Sequence, residues 1–218
     1  MRLHWKGEEI ELNEHKALFF AHHRALVMAD LHLGKINHFR KAGIAVPTRA
    51  NDHNSERLIQ LIQSYRPERV IFLGDLFHSH YNEEWEVLGQ IRKHFLSTSF
   101  ELVRGNHDIL SERQYERWDI SVHSSLSLGT WCLTHDPAEQ PAAGEYQLSG
   151  HVHPGVRLAG AGKQSLVLPC FWLGQQQGLI PAFGSFTGLA KIVPRKGDKV
   201  FVVTENKVME LMPEPTPA

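Results

Sequence analysis

Residues 70–78 read Val-Ile-Phe-Leu-Gly-Asp-Leu-Phe-His, an apolar run that leads directly into a glycine, a carboxylate and an imidazole. The run 70–73 is short and rich in β-branched and aromatic side chains, which is typical of a buried strand. Gly74 allows a sharp turn after it, and Asp75 follows at once. Because the carboxyl ends of strands in α/β sheets converge on one crevice, this order predicts a ligand-binding edge.

Four other apolar runs lead into side chains of the same types. The blocks that follow them are Asp30-Leu-His32, Arg104-Gly-Asn-His-Asp108, His135-Asp136 and Gly150-His-Val-His153. Packing alone does not explain why five strands should end in aspartate, histidine or asparagine. We therefore expect these blocks to meet at one site.

The spacing within two of the blocks suits metal coordination. Asp30 and His32 are two residues apart, so in extended backbone their side chains point the same way, with Cα atoms about 6–7 Å apart. The His151–His153 pair repeats this arrangement. We expect each pair to bind one ion or two adjacent ions.

The candidate ligands combine carboxylate, amide and imidazole groups without a thiolate. They are Asp30, His32, Asp75, Asn106, His135, His151 and His153. Such a set suits Mn, Fe or Zn and disfavours a thiolate-rich structural zinc site. It exceeds what one tetrahedral ion needs, which favours two ions about 3.5–4 Å apart with one bridging carboxylate.

The remaining sequence alternates strands and helices before it turns into hairpins. Apolar stripes predict helices over residues 52–65 and 83–96, and Gly-rich turns separate short strands after residue 155. We expect an α/β (α+β) fold in which two mixed β-sheets pack face to face with helices outside. We expect one domain over residues 1–212 and a flexible tail over residues 213–218.

Composition restricts the class of protein further. The 218 residues carry 23 Lys and Arg against 24 Asp and Glu, so the net charge is −1 and charge alone would not hold the chain on nucleic acid. No window is apolar enough to cross a membrane, and charges interrupt the start where a signal peptide needs its apolar core. With only two cysteines, we expect a cytoplasmic protein with reduced thiols and no membrane association.

The five blocks, in this order, resemble the calcineurin-like binuclear metallophosphoesterase superfamily. Further stretches resemble its ligase-associated DNA damage response endonuclease branch, and these stretches are residues 30–35, 39–47, 168–173 and 181–188. The resemblance covers roughly residues 25 to 190. It implies a four-layer αββα sandwich and a manganese-dependent phosphodiesterase, with Fe or Zn as alternative metals.

The resemblance also implies roles for individual residues. One ion would be held by Asp30, His32, Asp75 and His153, and a second by Asp75, Asn106, His135 and His151. A metal-activated water would attack the phosphodiester, and His107 would act as general acid. Asp108 would orient that imidazole, Arg104 would face the same cleft, and His78 would support Asp75 by a hydrogen bond.

Substrate and partners rest mainly on the branch resemblance. It implies a DNA endonuclease acting on single-stranded or distorted DNA in repair, beside an ATP-dependent DNA ligase, a helicase and an exonuclease. Lys35, Arg40 and Lys41 are candidate contacts to DNA phosphates, or else a solvated basic face. Two alternative functions stay open: a phosphatase or phosphodiesterase of nucleotides and other small phosphate esters, and a non-catalytic repair scaffold.

Overall fold

The structure is a computed structural model, and it describes residues 1–33, 49–77, 83–159, 164–185 and 187–211. Side chains at residues 49–52 and 83 also lie outside this description. The expected tail, residues 213–218, is outside it too. None of the helices in the described ranges has the length and apolar character that a bilayer crossing requires.

The first sheet has seven strands in sequence order. They are β1 (Arg2–Trp5), β2 (Glu8–Leu12), β3 (Leu18–Phe20), β4 (Ala25–Met28), β5 (Arg69–Leu73), β6 (Ser99–Val103) and β7 (Ile120–His123). Strands β1 to β4 pair antiparallel, whereas β4 to β7 pair parallel. The parallel half therefore directs the carboxyl ends of β4, β5 and β6 to one edge.

Helical crossovers join the parallel strands, as parallel pairing requires. Helix α1 (Arg49–Tyr65) joins β4 to β5, α2 (Glu83–His94) joins β5 to β6, and α3 (Glu112–Arg117) joins β6 to β7. Helices α1 and α2 confirm the two expected from apolar stripes, with ends shifted by a few residues. Helix α3 was not predicted, because it buries only Tyr115 and therefore has no apolar stripe.

The second sheet has nine strands and is also mixed. They are β8 (Leu126–Leu128), β9 (Trp131–Thr134), β10 (Tyr146–Ser149), β11 (Pro154–Ala159), β12 (Ser165–Leu173), β13 (Gln177–Leu179), β14 (Ala190–Lys191), β15 (Lys199–Val203) and β16 (Val208–Leu211). Strands β9 and β10 pair parallel, so their carboxyl ends share an edge. Strands β7, β8 and β13 were not expected, since each is short and carries polar residues.

Two apolar layers hold these elements together. One lies between the sheets and includes Phe20, Trp131 and Phe171, while the other lies between the first sheet and the helices and includes Phe72 and Trp85. Two mixed sheets face to face with helices outside are thus confirmed. In the described ranges, all three helices contribute side chains to the layer on the first sheet. A smaller apolar cluster on the second sheet, made of Val156, Cys170, Val200 and Val202, contains no helical residue.

One strand offers a matched test of the layer between the sheets. On β12, Leu173 is fully buried in that layer, whereas Leu166 is 59% exposed. We expect Leu173→Ala to lower the free energy of unfolding by about 2–5 kcal/mol, because it leaves a cavity. Leu166→Ala should change it by about 0.5 kcal/mol or less. Urea denaturation measures both, and equal effects would contradict this packing.

Candidate metal centre

The candidate ligands stand at the carboxyl ends of five strands from both sheets. Asp30 and His32 follow β4, Asp75 follows β5, and Asn106 follows β6. In the second sheet, His135 follows β9 directly, and His151 and His153 follow β10. A parallel bridge between Ala29 and Ala182 joins the two edges. The structure thus brings together side chains spread over more than half of the sequence.

The first candidate metal site consists of Asp30, His32 and His153, whose potential ligand atoms all lie within 4.8 Å of one another. Asp30 Oδ1 lies 3.5 Å from His153 Nε2. Both atoms are buried, and neither has a hydrogen-bond partner among the described residues. Because each unsatisfied buried polar group costs about 1–3 kcal/mol, a cation bound to both atoms would stabilise this arrangement.

The second candidate metal site consists of Asp75, His135 and His151, again with ligand atoms within 4.8 Å. His135 Nδ1 donates to the Leu73 carbonyl oxygen at 2.9 Å, which leaves the lone pair of the neutral imidazole on Nε2. That nitrogen lies 3.1 Å from Asn106 Oδ1 and 3.4 Å from Asp75 Oδ1. Three acceptor atoms facing one another favour a bound cation.

Asp75 lies between the two sites. Its Oδ2 is 3.9 Å from His32 Nε2 in the first site, and its Oδ1 is 3.4 Å from His135 Nε2 in the second. The side chain is almost fully buried, so solvent does little to screen it. This is the position that a carboxylate shared by two ions would need.

The backbone at the ligands is left-handed, so the expectation of extended backbone was wrong. Asp30 has φ of 55° and His32 of 48°, while His151 and His153 have 60° and 52°. Asp and His enter this region more readily than most residues, but it still costs about 1–3 kcal/mol at each position. Hydrogen bonds fix these residues: the His151 N–H, for example, donates to Asp30 Oδ2 at 2.9 Å.

Gly74 makes room for the second site. Its φ is 74°, and a Cβ there would lie 2.1 Å from His135 Nδ1. The sharp turn expected at this glycine is present, and the His135 imidazole occupies the space that a side chain at position 74 would need, which allows its hydrogen bond to the Leu73 carbonyl.

His107 lies at the accessible rim of the centre. Its backbone N–H donates to Asp75 Oδ1 at 3.0 Å, and its Nε2 is 4.0 Å from Asp75 Oδ2. Its side chain is 43% exposed, in contrast to the nearly buried ring of His32 beside it. The imidazole is therefore held next to the candidate metal sites and is open to a substrate.

Asp108 ties two ligand-bearing loops together. Its Oδ1 accepts hydrogen bonds from the N–H groups of Leu76 and Phe77, and its Oδ2 accepts one from Gly105. The pKa of Asp108 is raised to about 6, mainly because the carboxyl group is buried. These partners hold the loop after β5 against the loop after β6, and a role in orienting the His107 imidazole stays a prediction.

The remaining site residues predicted from the sequence either form contacts outside the two metal sites or lie outside the described ranges. The half-exposed Arg104 forms an ion pair with Glu112 at 3.3 Å. Residues outside the described ranges are His78, Lys35, Arg40 and Lys41. Asp136 was not predicted to have a role, although it directly follows His135. Its Oδ1 lies 3.4 Å from His151 Nδ1.

Comparisons with known proteins found a family match and a structural relative that spans the chain. The family model for calcineurin-like phosphoesterases matches residues 23–140. The crystal structure of nuclease MPE from Pseudomonas putida is 30% identical, covers 97% of this chain and 99% of its own, and superposes with a TM-score of 0.81. Comparison with curated proteins gave no match.

More distant structures were also found. Yfce, a phosphoesterase from E. coli, is 14% identical over 86% of this chain and 97% of its own, with a TM-score of 0.45. AQ665 from Aquifex aeolicus is 18% identical over 59% of this chain and 78% of its own, with a TM-score of 0.41. The family match and the full-length similarity to the Pseudomonas protein decide the assignment: the chain belongs to the calcineurin-like phosphoesterase family and is a metal-dependent phosphoesterase.

Proposed function

We propose that the chain is a binuclear-metal phosphodiesterase that cleaves DNA as an endonuclease, on single-stranded or distorted substrate. The observation that carries the proposal is the pair of candidate metal sites on either side of Asp75, with an accessible imidazole beside them. Mn²⁺ is the proposed metal, and the ligand set accommodates it because carboxylate, amide and imidazole are all suitable ligands.

The residues present fit two divalent ions. One ion would be held by Asp30, His32 and His153, the other by His135, His151 and Asn106, with Asp75 shared. Ions bound there supply Lewis acidity toward the phosphate and toward the attacking water. The chain itself places the carboxylates and imidazoles, and the hydrogen bond from His135 Nδ1 to Leu73 fixes which ring nitrogen faces the site.

His107 is the proposed general acid. Its side chain is exposed, and its backbone is anchored on Asp75. Imidazole is the side chain that titrates nearest to neutral pH, so it can hold a proton and donate it to the leaving oxygen. That donation matters most for DNA, whose leaving alkoxide is a strong base.

Two observations support DNA as the substrate. The full-length relative from Pseudomonas is a nuclease. The sequence between Asp30 and Asp52 contains Lys35, Arg40, Lys41 and Arg49 but no acidic residue, which suits contact with a phosphate backbone. We propose a cytoplasmic role in DNA repair, in a pathway with an ATP-dependent ligase, a helicase and an exonuclease.

Titration with metal tests the two sites. We expect the apo protein to bind two Mn²⁺ ions per chain in isothermal titration calorimetry. His153→Ala removes a ligand of one site and should weaken one ion by roughly tenfold or more, as loss of even an outer partner does. The exposed His4 is a matched control, since His4→Ala should change neither ion. Wild-type affinity for both ions in His153→Ala would contradict the assignment.

His107→Asn tests the general acid. The substitution should leave both ions bound and lower kcat for DNA roughly 10²–10⁴-fold. Hydrolysis of bis-p-nitrophenyl phosphate should fall much less, because its leaving group needs no proton. Equal losses on both substrates, or none on DNA, would show that His107 is not the acid.

Choice of substrate separates the proposal from its alternatives. In Mn²⁺, we expect plasmid DNA to be nicked and small phosphate monoesters to be poor substrates. If plasmid DNA stays intact while a mononucleotide is hydrolysed rapidly, the endonuclease proposal is wrong and a small-ester phosphatase replaces it. If neither reacts in the metal-loaded protein, the scaffold alternative gains support.

A further inference from the structure

Arg57 is a buried cation near the metal centre that the proposed chemistry does not use. It lies on α1 and is only 8% exposed. Among the described residues no carboxylate pairs with it; its Nη2 donates to Asn54 Oδ1 at 3.0 Å and to the carbonyl oxygen of Phe183. Its guanidinium also stacks over the Phe183 ring, 4.3 Å from the centroid. A buried charge held by neutral acceptors needs a reason for being there.

The segment that Arg57 contacts, residues 182–185, runs along the backbone of the first metal site. Its Phe183 N–H donates to the Ala29 carbonyl at 2.8 Å, and its Gly184 N–H donates to the Asp30 carbonyl at 3.1 Å. Contact at Gly184 is close: a Cβ there would lie 2.5 Å from the Leu31 carbonyl oxygen. Any shift of the 182–185 segment therefore moves the backbone that carries Asp30.

A second contact fixes the same segment to α1. Ser185 Oγ donates to Asn54 Oδ1 at 3.2 Å, so Asn54 accepts from both Ser185 and Arg57. The 182–185 segment is thus held on one side by α1 and on the other by residues 29–31. Asp30 needs such support, because its left-handed backbone is unfavourable for a residue with a side chain.

We propose that Arg57 is a positioning residue for the Asp30–His32–His153 metal site and acts through the 182–185 segment. The inference rests on the proposed pair of metal sites. The second site, at Asp75, His135 and His151, has none of these contacts with the segment among the described residues. Loss of Arg57 should therefore weaken one ion selectively.

The test compares metal affinity, not activity. In calorimetric titration with Mn²⁺, Arg57→Met should weaken one ion about tenfold or more and leave the other within about twofold. Arg57→Lys keeps a charged donor of similar reach and should restore part of the affinity. In the double variant Arg57→Met/His153→Ala, both substitutions should act on the same ion and the other ion should stay within about twofold of wild type, which identifies the affected site.

Arg92 provides a matched control. It is also 8% exposed, lies on α2 and pairs with Asp119. Asp119 directly precedes β7, so it lies at the amino-terminal ends of the parallel strands, whereas the metal centre lies at their carboxyl ends. Arg92→Met should lower stability but leave both ions at wild-type affinity. If Arg92→Met weakens an ion as much as Arg57→Met does, general destabilisation accounts for the effect and the proposal is overturned.

A milder variant covers the case in which Arg57→Met does not fold. Ser185→Ala removes one contact of the same segment and should weaken the same ion several-fold, with the folded state checked by circular dichroism. Wild-type affinity for both ions in the variants that fold, or equal loss of both, would overturn the positioning role. Failure of the wild-type protein to bind two ions would instead refute the proposed function.

Discussion

The clustering of lone pairs around the Asp75 carboxylate is the constraint on which the rest of the structure depends. Imidazole nitrogens of His32 and His135 face its two oxygens from opposite sites, in a place that water hardly reaches. Such a group of buried acceptors is unfavourable by itself, and bound cations make it favourable. The fold therefore maintains an arrangement that suits bound metal ions.

Parallel strands provide this arrangement because their carboxyl ends lie side by side. Each sheet has its own parallel region, and the bridge between Ala29 and Ala182 joins the two edges. Ligands then come from short turns whose geometry is fixed by backbone hydrogen bonds. Residues with left-handed backbone, and Gly74, make these turns tight, and the ligand side chains of each site lie close together.

Much of the centre could be predicted from the sequence because each candidate ligand lies within a few residues of the apolar run that forms its strand. An apolar run followed by Asp or His marks a strand end whatever the rest of the fold does, and apolar stripes marked α1 and α2. Helix α3 was not predicted because its single buried residue, Tyr115, does not form an apolar stripe. The left-handed turns were not predicted because hydrogen bonds to residues that follow other strands stabilise them, such as the bond from the His151 N–H to Asp30 Oδ2.

Long-range contacts that no strand-end pattern marks could not be predicted. Arg57 meets Phe183 across 126 positions, and no local pattern indicates that pairing. Asp108 is predicted to orient His107, its neighbour in sequence, but the hydrogen bonds that its oxygens accept from backbone groups of two loops were not predicted. Asp108 holds two loops that carry candidate ligands, whereas Arg57 contacts a segment that runs along a third.

Anomalous diffraction from crystals grown with Mn²⁺ tests the central claim most directly. We expect two separate peaks, one among Asp30, His32 and His153 and the other among Asp75, His135 and His151. A single peak, or peaks at other residues, would contradict it.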